Sequence, residues 1–112
     1  MNHNKLVKIV SNELKSRGYV VENEKLLPLG KGSVDISCKN KGKYLFHAEV
    51  KEMPASIKKK KVSKQLNLYK KYFGNEPDYI LISPDAFGEV IFQDLSGKFR
   101  GSLDNYISFL NH

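Results

Sequence analysis

The chain contains no tryptophan and only one cysteine, Cys38. A single thiol excludes an internal disulfide, so the fold must rest on its core, and a reducing cytoplasmic compartment is expected. Acidic side chains are the minority: 12 Asp and Glu stand against 19 Lys and Arg, a formal net charge of +7. A small domain this basic is a candidate polyanion binder, with plain solubility as the alternative. No apolar run approaches the ~20 residues of a membrane-spanning helix, so no membrane partner is expected. Met1-Asn2-His3-Asn4-Lys5 is not followed by the apolar stretch of a secretory leader. The 112 residues are 40% hydrophobic and 28% charged, an ordinary globular balance for one domain spanning 1–112.

Hydrophobic spacing predicts the elements. Leu6, Val7, Ile9, Val10 and Leu14 approximate a 3.6 period, so residues 4–17 read as an amphipathic helix ended by Gly18. A strand starts at Tyr19-Val20-Val21-Glu22 and extends toward Leu27. Pro28 to Ser33 is a glycine-rich turn, and Pro54-Ala55-Ser56 is a break. A second helix begins between Ile57 and Val62 and runs to Phe73, with Val62, Leu66, Tyr69 and Phe73 as its apolar stripe and Gly74 as its stop. The near-continuous apolar run from Pro77 to Ser83 reads as a strand buried on both faces. Another strand covers 89–93, and a short helix covers 102–110. The order predicts an α/β or α+β sandwich with a mixed sheet.

The chemistry concentrates between these helices. Gly32-Ser33-Val34-Asp35-Ile36-Ser37-Cys38 and Tyr44-Leu45-Phe46-His47-Ala48-Glu49-Val50-Lys51 both alternate with period two. Val34, Ile36 and Cys38 share one predicted face with Asp35 opposite. Tyr44, Phe46, Ala48 and Val50 share one predicted face with Glu49 and Lys51 opposite. A turn at Lys41-Gly42-Lys43 sets Asp35 directly across from Glu49, where like charges destabilise a strand pair. A hard divalent cation, Mg²⁺ or Mn²⁺, bridging the carboxylates would remove that penalty. Lys51 points the same way and can orient a water or stabilise charge on a phosphate. The bland alternative is an ion-paired polar face on a two-stranded ribbon.

Val34-Asp35 followed at this spacing by Glu49-Val50-Lys51 resembles the PD-(D/E)XK nuclease superfamily, with Val34 in place of the motif's proline. The order of elements over roughly residues 5–83 is similar to that family's restriction-endonuclease-like core: helix, three-strand meander, helix, strand. A further strand and a C-terminal helix would be additions. The resemblance implies a metal-dependent DNA endonuclease in which Asp35 and Glu49 ligate Mg²⁺ or Mn²⁺ and Lys51 is the catalytic lysine. Gln65 and Tyr69, four apart on one helical face, resemble the Gln-x-x-x-Tyr pair of RecB-like members, which lies beside the active site and contacts substrate. Gly30-Lys31-Gly32-Ser33 is similar to the Gly/Ser-rich turn of archaeal Holliday-junction resolvases, which offers Lys31 and Ser33 to a phosphate. Glu13 is a candidate for the extra acidic residue many members carry on the first helix, although a solvated helix face is the simpler reading.

Lys58-Lys59-Lys60-Lys61 and Lys64 form the densest charge on the chain. Cations at a helix start oppose its dipole, so DNA phosphates are their expected partners, against the alternative of a solvated loop. His3, His47 and His112 lack metal-ligand spacing. His47 shares the predicted face of Glu49 and reads as a partly exposed strand histidine. Two-site cleavage would need a homodimer, for which Leu103, Tyr106, Ile107 and Leu110 or the Val90-Ile91-Phe92 strand offer surfaces, with the equal alternative that the terminal helix only covers its own sheet. A non-catalytic nucleic-acid-binding domain and a basic protein-interaction module for assembly or immunity are the other classes open. With no recognition helix left over, any DNA preference is expected to be for structure rather than sequence.

Overall fold

The computed structural model describes residues 1–111. Asn2 opens the first helix, α1 (His3–Ser16), by accepting a hydrogen bond from the Lys5 amide at 2.8 Å. The chain continues through β1 (Val20–Leu26), a short turn at Pro28–Gly30, β2 (Ser33–Asn40) and β3 (Lys43–Val50). It then forms α2 (Lys60–Phe73), β4 (Asp78–Pro84), β5 (Val90–Asp94), β6 (Arg100–Gly101) and α3 (Leu103–Leu110). The six strands make one sheet in chain order. Every neighbouring pair is antiparallel except β3 and β4, which run parallel and are joined through α2. The protein is a mixed α+β structure.

The sheet separates two cores. On one face Leu6, Val10 and Leu14 of α1 and Tyr106 of α3 pack with Ile36, Phe46, Ala48, Ile80, Ile82 and Phe92. On the other, Val62, Leu66 and Tyr69 of α2 pack with Val34, Tyr79 and Leu81. Burying each large apolar side chain contributes about 1.5–3 kcal/mol. Strand β4 feeds both clusters, as its unbroken apolar run requires. Gly74 stops α2 at φ 86°, a conformation costly to any residue with a Cβ.

The turn between β2 and β3 differs from expectation and still brings Asp35 close to Glu49. It is a two-residue turn, Lys41-Gly42, with φ of 53° and 79°, the mirror-image geometry that suits a tight hairpin. Continued unbroken, the Lys39–Tyr44 register would set Asp35 opposite Ala48. Instead Cys38 pairs with Phe46, so Leu45 is an extra residue on β3. This bulge shifts the register by one, the paired ladder ends at Ile36–Ala48, and the Asp35 and Glu49 carboxylates come together just beyond it. Tyr44 is thereby moved off the Phe46 face and lies beside His47 and Phe73.

Four other expectations are corrected. Val34 belongs to the α2 cluster while Ile36 and Cys38 belong to the α1 cluster, so the alternation of β2 breaks at Asp35. His47 is fully buried, not partly exposed, because its ring is stacked on Phe73 at 4.0 Å. Strand β5 is not open along its whole edge: Arg100–Gly101, a strand too short to read from sequence, pairs with Phe92 and Gln93 but not with Val90 or Ile91. The Leu103, Tyr106, Ile107 and Leu110 stripe packs on its own sheet rather than standing free for a second copy. Tyr106 is fully buried, 5.5 Å from the Phe46 ring, and donates to Asp78 at 2.7 Å.

The topology gathers four segments at one end of the sheet. Strands β1, β3 and β4 run toward that end and β2 and β5 leave it, so it collects Leu26 to Ser33, Val50 to Lys59 and Pro84 to Val90. The N-terminus of α1 joins them, since His3 reaches Asp35.

Candidate active site

Asp35 and Glu49 sit where the alternation of β2 breaks and β3 ends. The Val50 amide donates to Asp35 Oδ2 at 2.8 Å, tying the carboxylate to the neighbouring strand. His3 Nε2 lies 3.3 Å from the same oxygen. Tyr69 donates to Glu49 Oε2 at 2.5 Å and stands 3.2 Å from the Ser33 carbonyl. Lys51 Nζ is 3.6 Å from Glu49 Oε1. The carboxylate is largely sequestered and the ammonium is open, with side-chain exposures of 15% and 48%. The Lys51 amide donates to Ile82 O at 2.9 Å, so the end of β3 is held in the sheet.

The electrostatics follow from this placement. Burial raises the Glu49 pKa above the usual carboxylate value. The Tyr69 hydrogen bond opposes the rise, Asp35 adds to it as a neighbouring like charge, and Lys51 partly offsets it. The His3 pKa is also raised: burial lowers it, but the hydrogen bonds to Asp35 and Asn4 and the charges of Asp35 and Glu49 outweigh that. Burial and the Glu49 charge push the Tyr69 hydroxyl well above its ordinary value, so it stays a donor.

An open cleft of about 560 Å³ leads away from Glu49 and Lys51 along α2. Its walls include Lys61, Lys64, Gln65 and Lys71. Lys59 and Lys61 also line a shallower recess with Lys51 and Met53. Helix α2 begins at Lys60, and its N-cap Lys59 makes no side-chain capping bond. Cations therefore occupy a helix start whose dipole disfavours them, and they face a carboxylate-bearing cleft.

The sequence candidates divide accordingly. Asp35, Glu49, Lys51, Gln65, Lys61 and Lys64 converge on this end of the molecule. Tyr69 is fully buried, so it braces Glu49 and does not present its ring for nucleic-acid contact. Ser33 meets Tyr69 through its backbone carbonyl, not its hydroxyl. Lys31, Lys58 and Lys60 are exposed on the flanking segments. Glu13 lies outside the site and pairs with Arg17 at 3.2 Å. The α1 contribution comes from His3, which has no spacing signal: its approach to Asp35 depends on how α1 docks across the sheet.

Among the described residues no group of three or more His, Cys, Asp or Glu side chains is disposed to hold a metal. The available donor set is the Asp35–Glu49 pair. It fits a hard dication such as Mg²⁺, which keeps several waters and takes only one or two carboxylates. Burial first, and then the neighbouring Asp35 charge, raise the Glu49 pKa, and such an ion would relieve the repulsion between the two carboxylates.

No family model, curated protein or solved structure matches this chain. The residues and their geometry therefore carry the functional argument.

Tyr69→Phe tests the brace on Glu49. Deleting the hydroxyl leaves a buried acceptor without its donor, which costs about 1–3 kcal/mol. Urea denaturation is expected to show a lower midpoint with an unchanged slope. An unchanged midpoint would mean that the Tyr69–Glu49 bond contributes nothing to folding.

Proposed function

We propose that the protein is a small metal-dependent DNA endonuclease of the PD-(D/E)XK type, with its site at Asp35, Glu49 and Lys51. The observation that carries the reading is the meeting of two neighbouring carboxylates and a half-exposed ammonium paired with one of them at the mouth of a lysine-walled cleft. The passage from α1 through the three-strand meander to α2 and β4 is consistent with the fold of that superfamily.

In this reading Asp35 and Glu49 would hold Mg²⁺ or Mn²⁺, which when bound polarises a scissile phosphate and lowers the pKa of its water. Tyr69 and the Val50 amide hold the two carboxylates in place. Lys51 orients the attacking water and stabilises charge on the phosphate. Lys61, Lys64 and the exposed Lys58, Lys59 and Lys60 hold flanking phosphates, while Gln65 faces the reacting strand from the cleft wall.

The deciding experiment is a nicking assay on supercoiled, linear and branched DNA with Mg²⁺ or Mn²⁺. Cleavage dependent on the metal and lost with a chelator is the expected result. Salt-sensitive DNA retention without cleavage would leave a non-catalytic DNA-binding domain, and no retention at low salt would overturn both nucleic-acid readings.

A further inference from the structure

Among the described residues, five large apolar side chains are more than two-thirds exposed: Met1, Leu26, Leu29, Met53 and Phe87. All five belong to segments at the end of the sheet that carries Asp35 and Glu49. The less exposed Ile9, Val20 and Phe109 lie on α1, at the far end of β1 and on α3. Chance scatter of surface hydrophobes needs no explanation, but their concentration around one site does.

Two of them are held out by local structure. Phe87, 91% exposed, tops the β4–β5 turn. Asp85 Oδ1 accepts from the Phe87 amide at 2.8 Å and the Glu89 amide at 3.0 Å, and the Gly88 amide donates to Asp85 O at 3.1 Å. Leu29, 90% exposed, sits at φ 58° in a loop closed by the Leu27 amide on Gly32 O at 2.8 Å. A leucine rarely adopts that conformation, and here it leaves the side chain in solvent. Cations share two of these segments: Lys31 lies two residues after Leu29, and Lys51 and Lys58 flank Met53, whereas the Phe87 turn carries Asp85 and Glu89.

We propose that this rim is a docking surface for unpaired bases, so that the preferred substrate is DNA with single-stranded or unstacked nucleotides at the site. The proposal rests on the nuclease reading and names its substrate class. Lysines alone suit any polyanion. A fully paired duplex presents its phosphates but stacks its base faces away from protein, leaving the apolar rim without a partner. Unstacked DNA offers both surfaces, and pairing a cationic groove with stacking side chains is how single strands are held. Phe87 is the stacking platform, and Leu29 is an apolar wedge on the β1–β2 loop, across the end of β3 from it.

The test is equilibrium binding, by fluorescence anisotropy in chelator, of the intact protein to a single strand, a duplex with a central bubble and the fully paired duplex. Wild type is expected to favour the single strand and the bubble. Phe87→Ala is expected to weaken those two by about tenfold, one stacking contact, and to leave paired-duplex affinity unchanged. Leu29→Asn, which tolerates the same backbone, should act in the same direction. Equal losses on all three ligands, or none, overturn the proposal while leaving the nuclease reading intact. A wild type that retains no DNA at low salt overturns both. Sedimentation without DNA supplies a third outcome: a dimer that Phe87→Ala converts to monomer would make the rim a self-association surface and overturn the proposal.

Discussion

Glu49→Gln is expected to reduce metal-dependent cleavage to background while leaving DNA retention in place. The substitution keeps the side chain's shape and an oxygen for the Tyr69 hydroxyl, so the fold has little reason to change. It removes the negative charge that, with Asp35, would hold the cation. Lys51→Ala is expected to lower the rate by about 10²–10³-fold, the loss typical of deleting one group that stabilises developing charge. Lys51 is exposed, and its ammonium is one cation among several in the cleft. Binding should therefore weaken slightly, with the salt-dependence slope falling by roughly one. The double variant should be little worse than Glu49→Gln alone, because groups acting as one unit are not additive. Single-turnover cleavage and filter retention separate the two effects. Unchanged cleavage in either single variant would show that the site is assigned to the wrong residues.

Sequence periodicity was informative wherever a residue's face decides its burial. The helices expected at 4–17 and 102–110 and the double-faced burial of β4 follow from spacing. What spacing could not supply was any feature set by a break in the period. The Leu45 bulge inserts one residue into β3, so Tyr44 changes faces and joins His47 and Phe73. The break at Asp35 sends Val34 to the α2 side. Both irregularities lie on the two strands that carry the carboxylates, and strand irregularities are a usual means of re-aiming side chains beside a site.

Features that depend on how elements dock were equally hidden. His3 reaches Asp35 only because α1 crosses the sheet with its N-terminus at the site end. The spacing of Gln65 and Tyr69 predicts a shared helical face but not a division of roles. The structure puts Gln65 in the cleft wall and Tyr69 beneath Glu49. The C-terminal stripe could equally have covered its own sheet or awaited a second copy. Tyr106 settles that locally, since its ring packs against both Phe46 and Phe92 and its hydroxyl reaches Asp78.

His47 gives the fold a calculable sensitivity to acid. Its ring is fully buried between Phe73 and Tyr79, with Nδ1 2.7 Å from Ser37 Oγ and no partner for Nε2 among the described residues. Burial, helped by the Lys25 charge and opposed by Glu22, lowers its pKa from 6.5 to about 4. Between those values the unfolded chain holds a proton at this position and the folded chain does not. Stability from this group is therefore complete above pH 6.5 and is lost as pH falls toward 4. At 1.36 kcal/mol per pKa unit the loss is on the order of 3 kcal/mol. Glu49 and His3 have raised pKa values in the fold, so their contributions have the opposite sign, being lost as pH rises. The whole-protein curve mixes these trends, and the difference between wild type and His47→Phe isolates the histidine. Phenylalanine keeps the stack on Phe73, and the partner that Ser37 loses is lost equally at every pH. Urea unfolding at pH 7 and pH 4 should show the variant gaining about 3 kcal/mol relative to wild type as the pH is lowered. Parallel stability curves would mean that His47 is protonated in the fold and that its burial carries no acid penalty.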